Sequence, residues 1–190
     1  MKLSVIIPCY NAADTIADQL DALTKQQWSG PWEILLVNNR SSDNTVEVVE
    51  GYRQKLPNLR IIDALEKQGI AYATNTGARA ASGDAFLFCD ADDVVEEGWV
   101  EAMGKALLKY DFVSGPFEIE KLNQSTLQMN RANPQPDGIQ KYTYPPYLPH
   151  AGGGNLGVKR SVFEAVGGFD ESMRHLCDTD FCWRVQLAGS

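Results

Sequence analysis

Three acids sit close enough together in this chain to do chemistry on a phosphate-bearing substrate. Asp90, Asp92 and Asp93 occupy the tetrapeptide Asp90-Ala91-Asp92-Asp93, directly after the apolar run Ala85-Phe86-Leu87-Phe88-Cys89. Carboxylates so close repel one another unless a divalent cation neutralises them. A hard cation of the magnesium or manganese type would then offer its open positions to a diphosphate. The plainer reading is a solvated acidic turn that caps the next helix, since Asp is a favoured N-cap residue. One cap, however, needs only one acid.

Such a turn must be held by a strand. Ala85–Cys89, bounded by Gly83, reads as a buried strand, and ligands of open α/β sheets bind beyond the carboxyl ends of strands. Leu3-Ser4-Val5-Ile6-Ile7, stopped by Pro8, reads as the first strand of the same kind, Glu33–Val37 as the second and Leu59–Ile62 as the third. Between them, Ile16, Leu20 and Leu23 recur at helical spacing with Asn11 as a candidate cap, Val46, Val49 and Leu56 mark a second helix, and residues 69–81 form an Ala-rich third. A helix from Trp99 to Leu108, a short strand at Phe112-Val113-Ser114, a strand-like Asn155–Val158, a short helix Ser161–Ala165 and a last helix from Asp178 to Ala188 complete the pattern. Strands alternating with helices predict an α/β fold, a mostly parallel sheet with helices on both faces.

Residues 116–150 differ in character. They hold Pro116, Pro134, Pro136, Pro145, Pro146 and Pro149, six of the 9 prolines, together with the cluster Tyr142-Thr143-Tyr144-Pro145-Pro146-Tyr147. A Pro-broken excursion of this length is functional or disordered more often than core. The tyrosines either form an apolar shelf for an acceptor or pack back on the main core.

Composition narrows the field of partners. The 190 residues favour one domain, and the net charge of -8 with no basic cluster argues against nucleic acid. No apolar stretch approaches the roughly 20 residues that span a bilayer, and the amino end shows no signal-peptide pattern, so a cytoplasmic location is expected. Cys9, Cys89, Cys177 and Cys182 lack CxxC spacing and read as reduced core thiols rather than a zinc site. His150 and His175 are isolated in sequence, which favours ordinary polar roles over metal ligation.

Taken together, the motifs resemble those of the family 2 inverting glycosyltransferases of the GT-A fold, in an order that spans nearly the whole chain. Ser4-Val5-Ile6-Ile7-Pro8-Cys9-Tyr10-Asn11 resembles the family's opening strand and turn, which lie against nucleotide base and ribose. Asn75-Thr76-Gly77 and Ala81-Ser82-Gly83-Asp84 are similar to its N-x-G and A-x-G-D patterns, and Asp90-Ala91-Asp92 to its D-x-D. Gly153-Gly154-Asn155-Leu156, Gly167-Gly168-Phe169-Asp170-Glu171 and Asp178-Thr179-Asp180 resemble its acceptor-side motifs. The resemblance implies that Pro8, Tyr10, Asn11, Asn38, Asp43, Asn75, Asp90 and Ala91 bind a nucleotide sugar. It further implies that Asp90 and Asp92 hold Mg2+ or Mn2+, that Asp178 is the general base, and that Asn155 and Asp180 lie on the acceptor side, Asp180 being the backup base.

The function this implies is transfer of a hexosyl group, with inversion, from a UDP-, GDP- or dTDP-sugar to a saccharide or lipid-linked acceptor. Residues 1–115 would form the nucleotide-sugar half and 116–190 the acceptor half of a single domain, truncated at its carboxyl end. Related enzymes often continue into further helices or a membrane-associating tail, so association with the inner face of the cell membrane would come from regions beyond Ser190. Three departures stand out: Asn38 replaces a common Asp, Cys177 replaces a common Glu, and Thr74 stands where many members carry Arg. Asn38 both donates and accepts hydrogen bonds, which an ionised Asp does not. The departures keep a non-catalytic nucleotide-sugar-binding module as the alternative. A sugar nucleotidyltransferase or a dinucleotide oxidoreductase fits poorly, because Pro8-Cys9-Tyr10-Asn11 stands where a Gly-rich phosphate loop should be.

Overall fold

The computed structural model describes residues 1–119, 122, 133–141, 143, 145 and 147–189. Six strands, β1 (Leu3–Cys9), β2 (Trp32–Asn38), β3 (Leu59–Asp63), β4 (Ala85–Phe88), β5 (Phe112–Ser114) and β6 (Leu156–Lys159), form one sheet in the order β3-β2-β1-β4-β6-β5. The first four are parallel, with Val5 in register with both Ile34 and Leu87, and Leu36 with Ile61. β6 runs antiparallel between β4 and β5, pairing Val158 with Phe86 and Gly157 with Val113. The sheet is therefore mostly parallel, as its unbroken apolar strands predict.

Among the described residues six helices flank it: α1 (Ile16–Thr24), α2 (Thr45–Glu50), α3 (Ile70–Ala80), α4 (Trp99–Leu107), α5 (Arg160–Ala165) and α6 (Cys177–Leu187). Alternation along β1 explains the two layers. Val5 and Ile7 join a core with Leu20, Leu23, Val49 and Met103 beneath α1, α2 and α4, while Ile6 joins Ala73, Ala78, Phe163 and Phe181 beneath α3, α5 and α6. The second core is aromatic, with Phe169 stacked on Phe181 at 4.5 Å and Phe163 edge-on to Phe86 at 5.3 Å. α3 sits low on the sheet because of Gly77. A Cβ there would come within 2.6 Å of Ile6 Cγ2 and 2.7 Å of Val37 Cγ2. Cys9, Cys89, Cys177 and Cys182 are free and buried, as expected of core thiols.

The expected cap at Asn11 is corrected. α1 starts only at Ile16, and Asn11 takes φ 48°, a left-handed conformation that Asn tolerates. Its side-chain oxygen accepts from Ser42 N at 2.7 Å, so the residue ties the β1–α1 loop to the β2–α2 loop instead of capping a helix. Tyr142, Tyr144 and Pro146 of the proposed aromatic shelf lie outside the described residues. Tyr147 packs edge-on against Trp183 of α6 at 4.6 Å. Among the described residues, no helix is long and apolar enough to cross a membrane.

At the amino ends of the strands lies a carboxylate with every valence satisfied. Glu33 accepts from Ser4 Oγ at 2.9 Å, Ser82 N at 2.6 Å, Ser82 Oγ at 2.5 Å and Arg60 Nη1 at 2.8 Å. Burial alone would raise its pKa, but Ser82, Arg60 and Ser4 together outweigh it and hold the carboxyl down to about 2. The opposite ends of the same strands are built differently.

Candidate active site

From β1 the sheet runs one way through β2 and β3 and the other way through β4, so the strand order reverses at the β1/β4 boundary. In open α/β sheets such a reversal leaves a crevice beyond the carboxyl ends of the strands. The chain leaves β4 there through buried Cys89 into Asp90. The turn is clamped from α1: Gln19, fully buried, donates to Asp90 O at 3.0 Å and accepts from Val95 N at 3.0 Å. Its backbone is thus held while its carboxylates stay bare. No described residue donates a hydrogen bond to the side chain of Asp90, Asp92 or Asp93, and none of the three has a described ion-pair partner.

Two neighbouring elements close over the acids. The single 3-10 turn Gly153–Asn155 precedes β6, and a Cβ on Gly154 would lie 2.7 Å from Asp90 Oδ2 and 2.8 Å from Asp93 Oδ2. Glycine thus lets backbone and two converging carboxylate oxygens share one small space. On the other side of this turn stands Asp178, in the first turn of α6. Its Oδ2 accepts from Gly153 N at 3.0 Å and its Oδ1 from Thr179 N at 2.8 Å. Burial, then repulsion from Asp93, Asp92 and Asp178, pushes the Asp90 carboxyl up to about 7. Burial and Asp92 likewise raise Asp93.

This donor set fits a hard divalent cation: bare oxygens, mutual repulsion and no basic partner. Among the described residues no group of three or more His, Cys, Asp or Glu closes on one point. A cation held here would have one or two carboxylates and would complete its shell with water and phosphate oxygens, the usual habit of magnesium.

A cavity of about 380 Å³ opens beside the acids. Of the residues named from sequence, it brings together Pro8, Asp90 and Asp178, with Thr74 of α3 and with Arg174 and His175 just before α6. Tyr10 is half exposed in the β1–α1 loop, and Ala91 is buried in the acid turn. Asn38 donates to Asp63 Oδ1 at 3.0 Å and accepts from Ser41 N at 3.0 Å, which orders the ends of β2 and β3. Asp43 accepts from Thr45 Oγ1 at 2.5 Å and Ala13 N at 3.1 Å; the Thr45 hydroxyl is the chief cause that lowers its carboxyl.

Three candidates are engaged elsewhere. Asn75 donates to Phe169 O at 2.8 Å and accepts from Phe169 N at 2.9 Å, clamping the loop before α6 to α3. Asn155 accepts from Trp99 Nε1 at 2.8 Å and donates to Pro116 O at 2.9 Å. Asp180 accepts from Arg184 Nε at 2.8 Å on its own helix. Sequence reasoning missed Gln19, although a Gln on the apolar stripe of Ile16, Leu20 and Leu23 was a readable signal. It also missed Gln135, fully buried, which accepts from Gly152 N at 2.8 Å and donates to Gly115 O at 2.7 Å. No pattern pointed to that residue.

A mostly parallel sheet of this order, with an acid turn after its fourth strand, defines an α/β domain of the GT-A class. A mannosyltransferase from Pyrobaculum calidifontis, solved with GDP-Man and Mn2+, superposes with a TM-score of 0.74 at 24% identity, over 98% of this chain and 52% of that one. The chain belongs to glycosyl transferase family 2, whose family model matches residues 4–167. Glycosyltransferase AglE of Haloferax volcanii is 38% identical over 199 residues, covering 98% of this chain and 62% of its own length. An uncharacterized glycosyltransferase of Bacillus subtilis, YwdF, is 29% identical over 190 residues, covering 97% of this chain and 68% of its own. The chain thus spans about two thirds of these two relatives.

Proposed function

We propose that this chain transfers a hexosyl group, with inversion, from a nucleotide-diphosphate sugar to an acceptor hydroxyl by a single in-line displacement. One observation carries the proposal: Asp90 and Asp93 from one segment and Asp178 from a distant one flank the Gly153-Gly154 turn, the first two without a described donor and the last aimed by backbone amides. Asp90 and Asp92 would hold Mg2+ or Mn2+, which when bound supplies positive charge against the departing diphosphate. The divalent ion in the Pyrobaculum calidifontis neighbour supports this reading. Asp178 takes the proton of the acceptor hydroxyl as its oxygen forms the new bond to the anomeric carbon and the bond from that carbon to the diphosphate breaks. Gly153 N–H and Thr179 N–H fix the plane of the Asp178 carboxylate, one oxygen each, leaving further lone pairs for the incoming hydroxyl.

In this reading residues 1–115 serve the donor, which is a UDP-, GDP- or dTDP-sugar, and residues 116–190 serve a saccharide or lipid-linked acceptor. Calorimetric titration with UDP, GDP and dTDP, in manganese and then in excess chelator, tests the site. Metal-dependent binding of one of them is expected and names the donor class. Asp92→Ala should abolish metal-dependent turnover with the fold intact, and retained activity would overturn the metal assignment. Nucleotide binding without turnover under any acceptor would leave the chain a binding module.

A further inference from the structure

The charges around the cavity do not balance, and the imbalance points to a residue that neither the motifs nor the family match assigns. Asp90 and Asp178 line it, with Asp92 and Asp93 adjoining, and a nucleoside diphosphate would bring further negative charge. One divalent cation offsets two of these charges. Thr74, facing the cavity from α3, offers no free donor, because its hydroxyl donates to Ile70 O at 2.9 Å. Among the described residues, the basic ones lining the cavity are Arg174 and His175. Arg174 is exposed and makes no ion pair or hydrogen bond with any described residue, although the chain carries 25 acids against 17 Lys and Arg.

The mount of Arg174 is pinned at both ends. On its amino side, Asp170 Oδ1 accepts from Ser172 N at 2.8 Å and Met173 N donates to Asp170 O at 3.2 Å. On its carboxyl side, Leu176 holds φ 59° and its carbonyl accepts from Asp180 N at 3.0 Å. A non-glycine residue in that region is strained, and strain of this kind persists where the surroundings over-determine it. The reversal at Leu176 places Arg174 and His175 on the same cavity as Asp178.

Resting on the proposed transferase reading, we infer that Arg174 binds the diphosphate of the donor in the cavity it lines together with Asp90 and Asp178. A guanidinium suits this task because its N–H fork matches phosphate oxygens two at a time. As the sugar leaves, charge develops on the diphosphate oxygen, and Arg174 stabilises it; a metal that Asp90 and Asp92 would hold would add positive charge there.

Inorganic pyrophosphate tests the inference without needing the donor base. In saturating manganese, Arg174→Ala should weaken pyrophosphate binding about 10-fold and Arg174→Lys should recover part of it, by calorimetry. The nucleoside matching the donor base should bind both variants as it binds wild type, since it has no phosphate. Pyrophosphate affinity unchanged in Arg174→Ala overturns the inference, including the case where only the KM for acceptor rises, which would place the Arg174 partner on the acceptor. If wild type binds neither pyrophosphate nor any nucleoside diphosphate, the transferase reading fails, and this inference fails with it.

Discussion

The two ends of this sheet treat a carboxylate in opposite ways. At the amino ends of the strands Glu33 is surrounded by Ser4, Ser82 and Arg60, and its carboxyl is held down to about 2. At the carboxyl ends Asp90 has no donor among the described residues, sits among Asp92, Asp93 and Asp178, and is pushed up to about 7. Both groups are buried enough for desolvation to be the first influence on them, so the difference lies in the partners. A fully hydrogen-bonded acid stabilises the fold; a bare acid among acids destabilises it until a cation arrives. The native structure tolerates that local cost where it serves a site.

The sharpest break in this comparison is at Asp178, the acid beside this cluster that backbone amides aim. Asp178→Asn keeps the shape and removes the base, so turnover should fall by about 10²–10⁴-fold while nucleotide affinity holds. Steady-state rates beside calorimetric binding check this, and a loss in binding alone would reassign the residue. Next in size is Glu33→Gln, which should cost about 2–3 kcal/mol in denaturant unfolding, with turnover at saturating substrate unchanged. Its pH signature has a definite sign. The Glu33 pKa is depressed from its ordinary 4.5 to about 2, so its stabilisation, on the order of 3 kcal/mol, is full above about 4.5 and disappears as pH falls towards 2. Wild type should lose stability through that window, and Glu33→Gln should lose correspondingly less.

The same carboxylate-to-amide change at the other end should act in reverse. A raised pKa means that folded Asp90 binds its proton more tightly than the unfolded chain does, so it lowers stability progressively as pH rises from 3.8 to about 7. Asp90→Asn should therefore stabilise the metal-free protein at pH 8 by about 1–2 kcal/mol, a rise of a few degrees in Tm, while metal-dependent nucleotide binding weakens. Thermal unfolding in chelator would show it. A drop in Tm there would mean that Asp90 has a stabilising partner and is not a bare ligand.

Much of this was legible before the structure. Unbroken apolar strands such as Ile34–Val37 predict burial on both faces, and helical spacing at Ile16, Leu20 and Leu23 predicts the face that α1 buries. The acid turn was legible because three acids after an apolar strand have few other uses. The antiparallel sense of β6 between β4 and β5 was not, since a strand of four residues carries no direction in its composition. Nor was the engagement of Asn75 and Asn155 in backbone clamps. Motif matching reads residue type, whereas hydrogen-bond partners 94 and 56 positions away are settled only by tertiary packing. Arg174 went unnoticed for the same reason, because a cation with no partner among the described residues is visible only once those residues have been placed.

The smallest effect is expected on α6 itself, where the two treatments of an acid stand two residues apart. Asp178 faces the cavity and takes only backbone donors, while Asp180 accepts from Arg184 Nε at 2.8 Å one helical turn on. A proton taken by Asp180 would have to displace a guanidinium, which makes it the poorer base. Asp180→Asn should cost about 0.5 kcal/mol, the usual worth of an i,i+4 pair, and change turnover by no more than about 3-fold. Measured beside Asp178→Asn, this variant decides between the two. If turnover collapses in Asp180→Asn and survives in Asp178→Asn, the base is the paired acid, and the contrast between bare and satisfied carboxylates would no longer mark where the chemistry is.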